Sequence, residues 1–133
     1  MRVIVLDNDW AVLRSLQIQL RRRGFDADCY SIPSKALDAL PRGEPPAALV
    51  VDLVMPEMDG AAFIRAARPL LHEECRVILI SGHTDVVEKT PLDDLGEIEF
   101  LPKPLDVDGL IAAIEKREEA DSRSSRGEDS VPG

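Results

Sequence analysis

The chain has 133 residues, 44% of them hydrophobic, which is enough for one cored domain and too few for two of ordinary size. Twenty-five acids against sixteen bases leave a formal charge of −9, which opposes a nucleic-acid surface and offers nothing basic to an anionic membrane. No apolar run approaches the roughly 20 residues of a membrane span, and the N-terminus MRVIVLD lacks the long apolar region and cleavage site of a secretory signal, so a cytosolic location is expected. Cys29 and Cys75 stand far apart, in no metal-ligand spacing, and read as reduced core or near-core thiols.

In chain order, Val3 to Leu6 reads as a strand that runs into Asp7-Asn8-Asp9. Val12, Leu13, Leu16 and Leu20 then recur at helical spacing, with Arg14, Gln17, Gln19 and Arg21 facing elsewhere. Gly24 is placed to stop that helix, and Arg21-Arg22-Arg23 put cations at its C-terminal dipole, where a solvated end outweighs a nucleic-acid patch. A second strand, Phe25 to Tyr30, contains the polar run DADCY and belongs at a sheet edge. A short helix follows Pro33-Ser34 through Ala36, Leu37 and Leu40. The third strand, Ala48 to Leu53, is apolar up to Asp52, as in a strand covered on both faces. Another helix runs from about Ala61 through Phe63, Ile64 and Ala67 until Pro69. The fourth strand, Arg76 to Ile80, leads to Ser81-Gly82. A short helix starting near Thr84-Asp85 is cut by Pro91 and gives way to an irregular turn through Leu95-Gly96. Ile98 to Leu101 forms the fifth strand, before Pro102-Lys103-Pro104. Val107, Leu110, Ile111 and Ile114 mark the last helix. Beyond Arg117 the sequence EEADSRSSRGEDSVPG has no apolar periodicity, so residues 1–117 are expected to form the domain and 118–133 a disordered tail or linker.

Strands alternating with helices imply parallel pairing through right-handed crossovers, hence an α/β three-layer sandwich with the first, third and fourth strands inside. In such a sheet, ligands bind beyond the carboxyl ends of the strands. The residues there are Asp7-Asn8-Asp9, Asp52, Ser81 and Lys103. Several acids held close together repel unless a cation shares the site, and hard oxygen ligands with room for water suit magnesium. Magnesium and Lys103 would stabilise charge on a transferring phosphoryl group, Ser81 would donate a hydrogen bond to it, and Asp52 would be the nucleophile, giving an acyl phosphate.

These residues match a known pattern. The chain resembles the receiver domain of two-component response regulators over roughly residues 1 to 117, on VVDLVMPEMDG and, in support, VIVLDND, LISGHTD and EFLPKP. The resemblance implies a flavodoxin-like, five-stranded parallel sheet in the order 2-1-3-4-5. It identifies Asp52 as the phosphoacceptor, Ser81 as the switch hydroxyl, Lys103 as the phosphoryl-binding lysine and Asp7 as the first of an acidic pair that holds Mg2+. Val54 falls where a backbone carbonyl helps hold the metal, Phe100 at the switch-aromatic position, and the Lys103-Pro104 bond where the family has a cis peptide. Implied partners are a histidine kinase or phosphotransfer protein and a downstream target protein, met through the fourth helix, fifth strand and fifth helix; monomer or homodimer stays open. Self-catalysed phosphoryl transfer and hydrolysis serve a signal, so the chain is not read as an enzyme in the ordinary sense.

Two residues depart from the pattern. Asn8 stands where the family carries a second acid; it offers an oxygen but no charge, which predicts weaker magnesium affinity. Phe100 has no polar atom, so switching would rest on packing. Against these readings stand plainer ones. Asp9 fits a helix N-cap better than a metal site. Phe100 in a strand is ordinarily core. His83 and His72 are assigned no role, and the Met55-Pro56 pair reads as loop packing. Two other functions compete: a receiver-like binding module that works without phosphate because of Asn8, and a metal-dependent phosphatase with an aspartyl nucleophile. The latter normally needs an acid where Val54 stands.

Overall fold

The computed structural model describes residues 1–82 and 92–115. The short helix expected after Thr84, His83 and the tail expected over 118–133 lie outside the described residues.

The elements follow the apolar pattern closely: β1 (Arg2–Leu6), α1 (Trp10–Arg22), β2 (Asp26–Tyr30), α2 (Pro33–Ala39), β3 (Ala48–Asp52), α3 (Gly60–Ala67), β4 (Arg76–Ser81) and β5 (Glu99–Pro102). Residues 107–115 form a last helix. All described strand pairs are parallel, in the order β2-β1-β3-β4-β5, which makes the flavodoxin-like sandwich.

Alternation along the interior strands sorts the core into two layers, because successive side chains leave opposite faces. Ile4, Leu6, Leu49, Val51, Val77 and Leu79 pack beneath α2 and α3, against Ala36, Leu40, Phe63, Ile64 and Ala67. Val3, Val5, Val50, Ile78 and Ile80 pack on the other face against Leu13, Leu16 and Leu20 of α1 and Leu110 and Ile114 of the last helix. Each large apolar side chain buried this way is worth about 1.5–3 kcal/mol, which is why a strand as continuous as ALVVD must be central.

The ends of α1 are set locally. Asp9 caps it, its Oδ1 accepting from the N–H groups of Ala11 at 2.9 Å and Val12 at 3.3 Å. Gly24 follows at φ +91°, a conformation suited to glycine. The arginines at this end are not merely solvated: Arg21 donates to the Ala27 carbonyl, capping the free edge of β2, and Arg23 pairs with Asp108.

Phe100 corrects the sequence expectation of a core aromatic. It is 41% exposed, because β5 is an edge strand on which Glu99 and Leu101 are half-buried while Phe100 and Pro102 face outward. Leu101, opposite Ile80, carries the strand's share of the core.

Three arginines fix the approach to β5. Arg68 donates to the carbonyls of Leu95 and Glu97, both at 2.7 Å. Arg65 makes a two-pronged pair with Asp94 at 2.6 and 3.0 Å, and Arg76 reaches Glu99 at 2.8 Å. Gly96, at φ +81°, lies directly beside the Arg68 guanidinium, where a Cβ would come within 3.1 Å of its nitrogen. The irregular turn foreseen through Leu95-Gly96 is therefore a short 3-10 turn, Asp93–Leu95, gripped from α3.

Candidate functional site

The carboxyl ends of β1, β3, β4 and β5 converge because the four strands are in parallel register, and each delivers one side chain. Asp7 follows β1; its N–H is held by the Tyr30 carbonyl at 3.1 Å. Asp52 ends β3, and its Oδ1 accepts from the Val54 N–H at 3.2 Å, which bends the chain away from the sheet. Ser81 ends β4, and its carbonyl accepts from the Lys103 N–H at 3.0 Å, placing the lysine just past β5. The Lys103-Pro104 peptide is cis.

Lys103 is the centre of the cluster. Its Nζ lies 3.1 Å from Asp52 Oδ2, as a hydrogen bond, and 3.3 Å from Asp7 Oδ2. Asp7 is fully buried, Asp52 is 4% exposed and Ser81 7% exposed. Two buried carboxylates side by side would repel, and the shared Lys103 ammonium offsets that cost. Burial pushes Asp7 up from the ordinary carboxyl range, and the neighbouring Asp52 charge adds to it, while the Asp9 N–H at 2.9 Å and Lys103 act the other way. For Lys103, burial alone would pull the ammonium down. The hydrogen bond to Asp52 and the charge of Asp7 outweigh it, so its pKa lies above the ordinary value and the group stays charged.

The structure brings together Asp7, Asp52 and Lys103, with Ser81 on the adjacent strand end. Asn8 and Val54 are exposed on the two flanking loops. Asp9 is not part of the cluster: its carboxylate is occupied by the α1 cap. Among the described residues, no group of three or more His, Cys, Asp and Glu side chains is placed to hold a metal. The set here is two acids with neutral oxygens beside them. One atom still fits a hard cation: Asp7 Oδ2 is buried and makes no hydrogen bond, its ion pair with Lys103 being poorly aligned for one.

Gly60 is the residue that sequence reasoning missed. A Cβ there would lie 2.5 Å from the Asp52 carbonyl oxygen and 2.8 Å from Leu53 Cα, and its N–H bonds the Leu53 carbonyl at 2.8 Å. The first turn of α3, capped by Asp59 on the Ala62 N–H at 2.7 Å, therefore sits on the backbone that carries Asp52. The available signal was a glycine at the first position of an otherwise strong helix former. Met55 closes the same loop from below, 8% exposed, as loop packing.

The sequence matches the family model described as the response regulator receiver domain over residues 3–115. It is 31% identical over 114 residues to response regulator MprA of Mycobacterium leprae, covering 86% of this chain and 49% of that protein. It is 33% identical over 112 residues to response regulator protein TodT of Pseudomonas putida, covering 84% and 48% respectively. The chain thus spans about half the length of these curated relatives. A solved response regulator receiver protein from Pseudomonas putida superposes with a TM-score of 0.74 at 30% identity, covering 86% of this chain and 95% of that one.

Proposed function

This chain belongs to the response regulator receiver domain family, and on that premise we propose that the Asp52 carboxylate accepts a phosphoryl group from a partner histidine kinase or phosphotransfer protein. An Asp52 oxygen attacks phosphorus, an acyl phosphate bond forms, and the P–N bond of the donor phosphohistidine breaks, leaving its imidazole. Water attack on phosphorus later returns the carboxylate and inorganic phosphate. The observation that carries this reading is the Lys103 ammonium shared by two buried carboxylates from different strands, 3.1 and 3.3 Å away.

Each residue has a distinct task. Lys103 neutralises charge on the transferred group, and the Ser81 hydroxyl donates to one of its oxygens. Asp7, Asp52, the Asn8 amide oxygen and the Val54 carbonyl would hold magnesium. That ion, when bound, offsets the charge that builds on the phosphoryl oxygens. The added group makes a new charged hydrogen-bond acceptor beside Ser81 and Lys103, both attached to β4 and β5, and so biases the outward Phe100 and the surface of β5 and the last helix toward a partner-binding arrangement. The product is a signal passed to a target protein, in the cytoplasm. No described helix is long and apolar enough to cross a membrane.

Phosphoramidate treatment followed by borohydride reduction and peptide mapping tests the assignment. Homoserine at position 52 is expected. Homoserine elsewhere, or none, overturns it. The second reading, a binding module that works without phosphate, is favoured by the neutral Asn8. It predicts no label at Asp52 and unchanged partner binding in Asp52→Ala.

A further inference from the structure

We infer that the hollow between α1 and the chain leading from β2 into α2 is a binding site for a nucleoside monophosphate, its ring stacked on Trp10 and its phosphate held between Arg14 and Lys35. The site stands apart from the strand-end acids, and the inference does not rest on the phosphoacceptor reading.

The helical pitch builds one wall. Trp10, Leu13, Arg14 and Gln17 fall at i, i+3, i+4 and i+7 of α1, so they share a stripe, and that stripe lines a hollow of about 490 Å3 at the free edge of the sheet. Tyr30, Ser31 and Lys35 supply the facing wall, at and beyond the end of β2. Pockets for small molecules span about 300–1,000 Å3, and this hollow lies within that range. Leu13 is buried, whereas Trp10 is 72% exposed. An indole left this open, beside an apolar floor and a second aromatic, offers a face on which a flat ring can stack.

The charges select the rest of the ligand. The chain carries 25 acids and 16 bases, and Arg2, Arg23, Arg65 and Arg76 each pair with an acid. Arg14 and Lys35 do not: among the described residues neither side chain has an ion-pair or hydrogen-bond partner, and no acid lines the hollow they share. Burial pushes the Cys29 thiol, which is also in the lining, up to about 11, so at neutral pH it brings no negative charge. Two unanswered cations, with the polar side chains of Gln17 and Ser31 beside them, suit one phosphate and the sugar hydroxyls attached to it. A polyanion fits worse. Asp9 and Asp28 are the sequence neighbours of Trp10 and Cys29, and the net charge of −9 repels each further phosphate of a strand.

Trp10 is the chain's sole tryptophan, so its emission reports on this hollow directly. Titration with AMP and GMP at constant ionic strength, followed by fluorescence and by calorimetry, is expected to show saturable quenching. Adenosine and inorganic phosphate each carry half of the recognised chemistry and are expected to bind at least tenfold more weakly, on the loss of a charged hydrogen bond or a stacked ring. Arg14→Ala and Lys35→Ala, both at exposed positions, should each weaken AMP about tenfold, and Trp10→Ala should do so by a similar factor in the calorimeter. Saturating AMP should also slow the alkylation of Cys29 by iodoacetamide. Asp52→Ala should bind AMP as the wild-type chain does, so a failure of phosphoryl labelling at Asp52 leaves the nucleotide site standing. The inference is overturned if neither nucleotide binds saturably, or if Arg14→Ala and Lys35→Ala bind AMP unchanged. Inorganic phosphate binding as tightly as AMP would also overturn it, since the ring would then contribute nothing. So would a polyglutamate peptide that binds more tightly than AMP, which would assign the groove to an acidic protein segment.

Discussion

Gly60 shows how little room surrounds the acid proposed to accept the phosphoryl group. Its α-hydrogen faces the Asp52 carbonyl across a space that a methyl group would overrun, at 2.5 Å from oxygen. Gly60→Ala is expected to cost about 1–3 kcal/mol in urea unfolding, because backbone and not a flexible side chain would have to give. An unchanged midpoint would mean that the loop yields more easily than its contacts imply. At the opposite edge of the sheet, Cys29 is half-buried and burial pushes its thiol up to about 11, against a lowering by Arg21. The folded thiol thus holds its proton more tightly than the unfolded one, whose value is 9.0. Its contribution to stability is complete below pH 9.0 and disappears as pH rises toward about 11. Alkylation by iodoacetamide at pH 8 should run roughly a hundredfold slower than for an unfolded thiol, in line with the thiolate fraction. A rate equal to that of the denatured chain would contradict this. Asp52, Asp7, Ser81 and Lys103 were legible as residues, since each closes an apolar strand. Their distances were not, because strand order has to bring four sequence-distant ends together first.

At the scale of elements, α3 does two things at once. Its first turn rests on the backbone of β3, and its far end holds the chain that leads into β5 through Arg65 and Arg68. The two arginines differ in kind. Arg65 and Asp94 are both solvent-facing, and such pairs are screened; Arg65→Ala should leave the urea midpoint within error. Arg68 supplies the donors for two main-chain carbonyls, and Arg68→Ala should cost about 1–3 kcal/mol and speed amide exchange over residues 95–99. If Arg65→Ala proves the more damaging, the hold is electrostatic and not a matter of satisfying the backbone. Periodicity in the sequence was sufficient to find every described α-helix and strand to within a residue or two, because core packing imposes it directly; the short 3-10 turns Arg68–Leu70 and Asp93–Leu95 carry no such period and were not found as helices. The arginine grip left no such trace: its bonds join positions 27 and 29 residues apart, and an arginine looks the same in sequence whether it meets solvent or a carbonyl. Phe100 was misjudged for a related reason, since an edge strand leaves one side of an aromatic uncovered and only strand order tells which strand is the edge.

For the whole molecule, the two-layer core explains why the architecture is legible in the residues themselves. Interior strands must be apolar throughout, edge strands need not be, and the contrast between ALVVD and DADCY ranks the two by composition alone. Within that scaffold the Lys103 ammonium stands between two buried carboxylates from different strands. The chemistry proposed for the site needs one carboxylate to become an acyl phosphate while the rest of the fold stays intact. Intact mass spectrometry after acetyl phosphate and magnesium measures that most directly. The wild-type chain should gain the mass of one phosphoryl group and lose it again on standing, while Asp52→Ala gains none. A wild-type mass that never rises at saturating magnesium, or an equal rise in Asp52→Ala, would contradict the account.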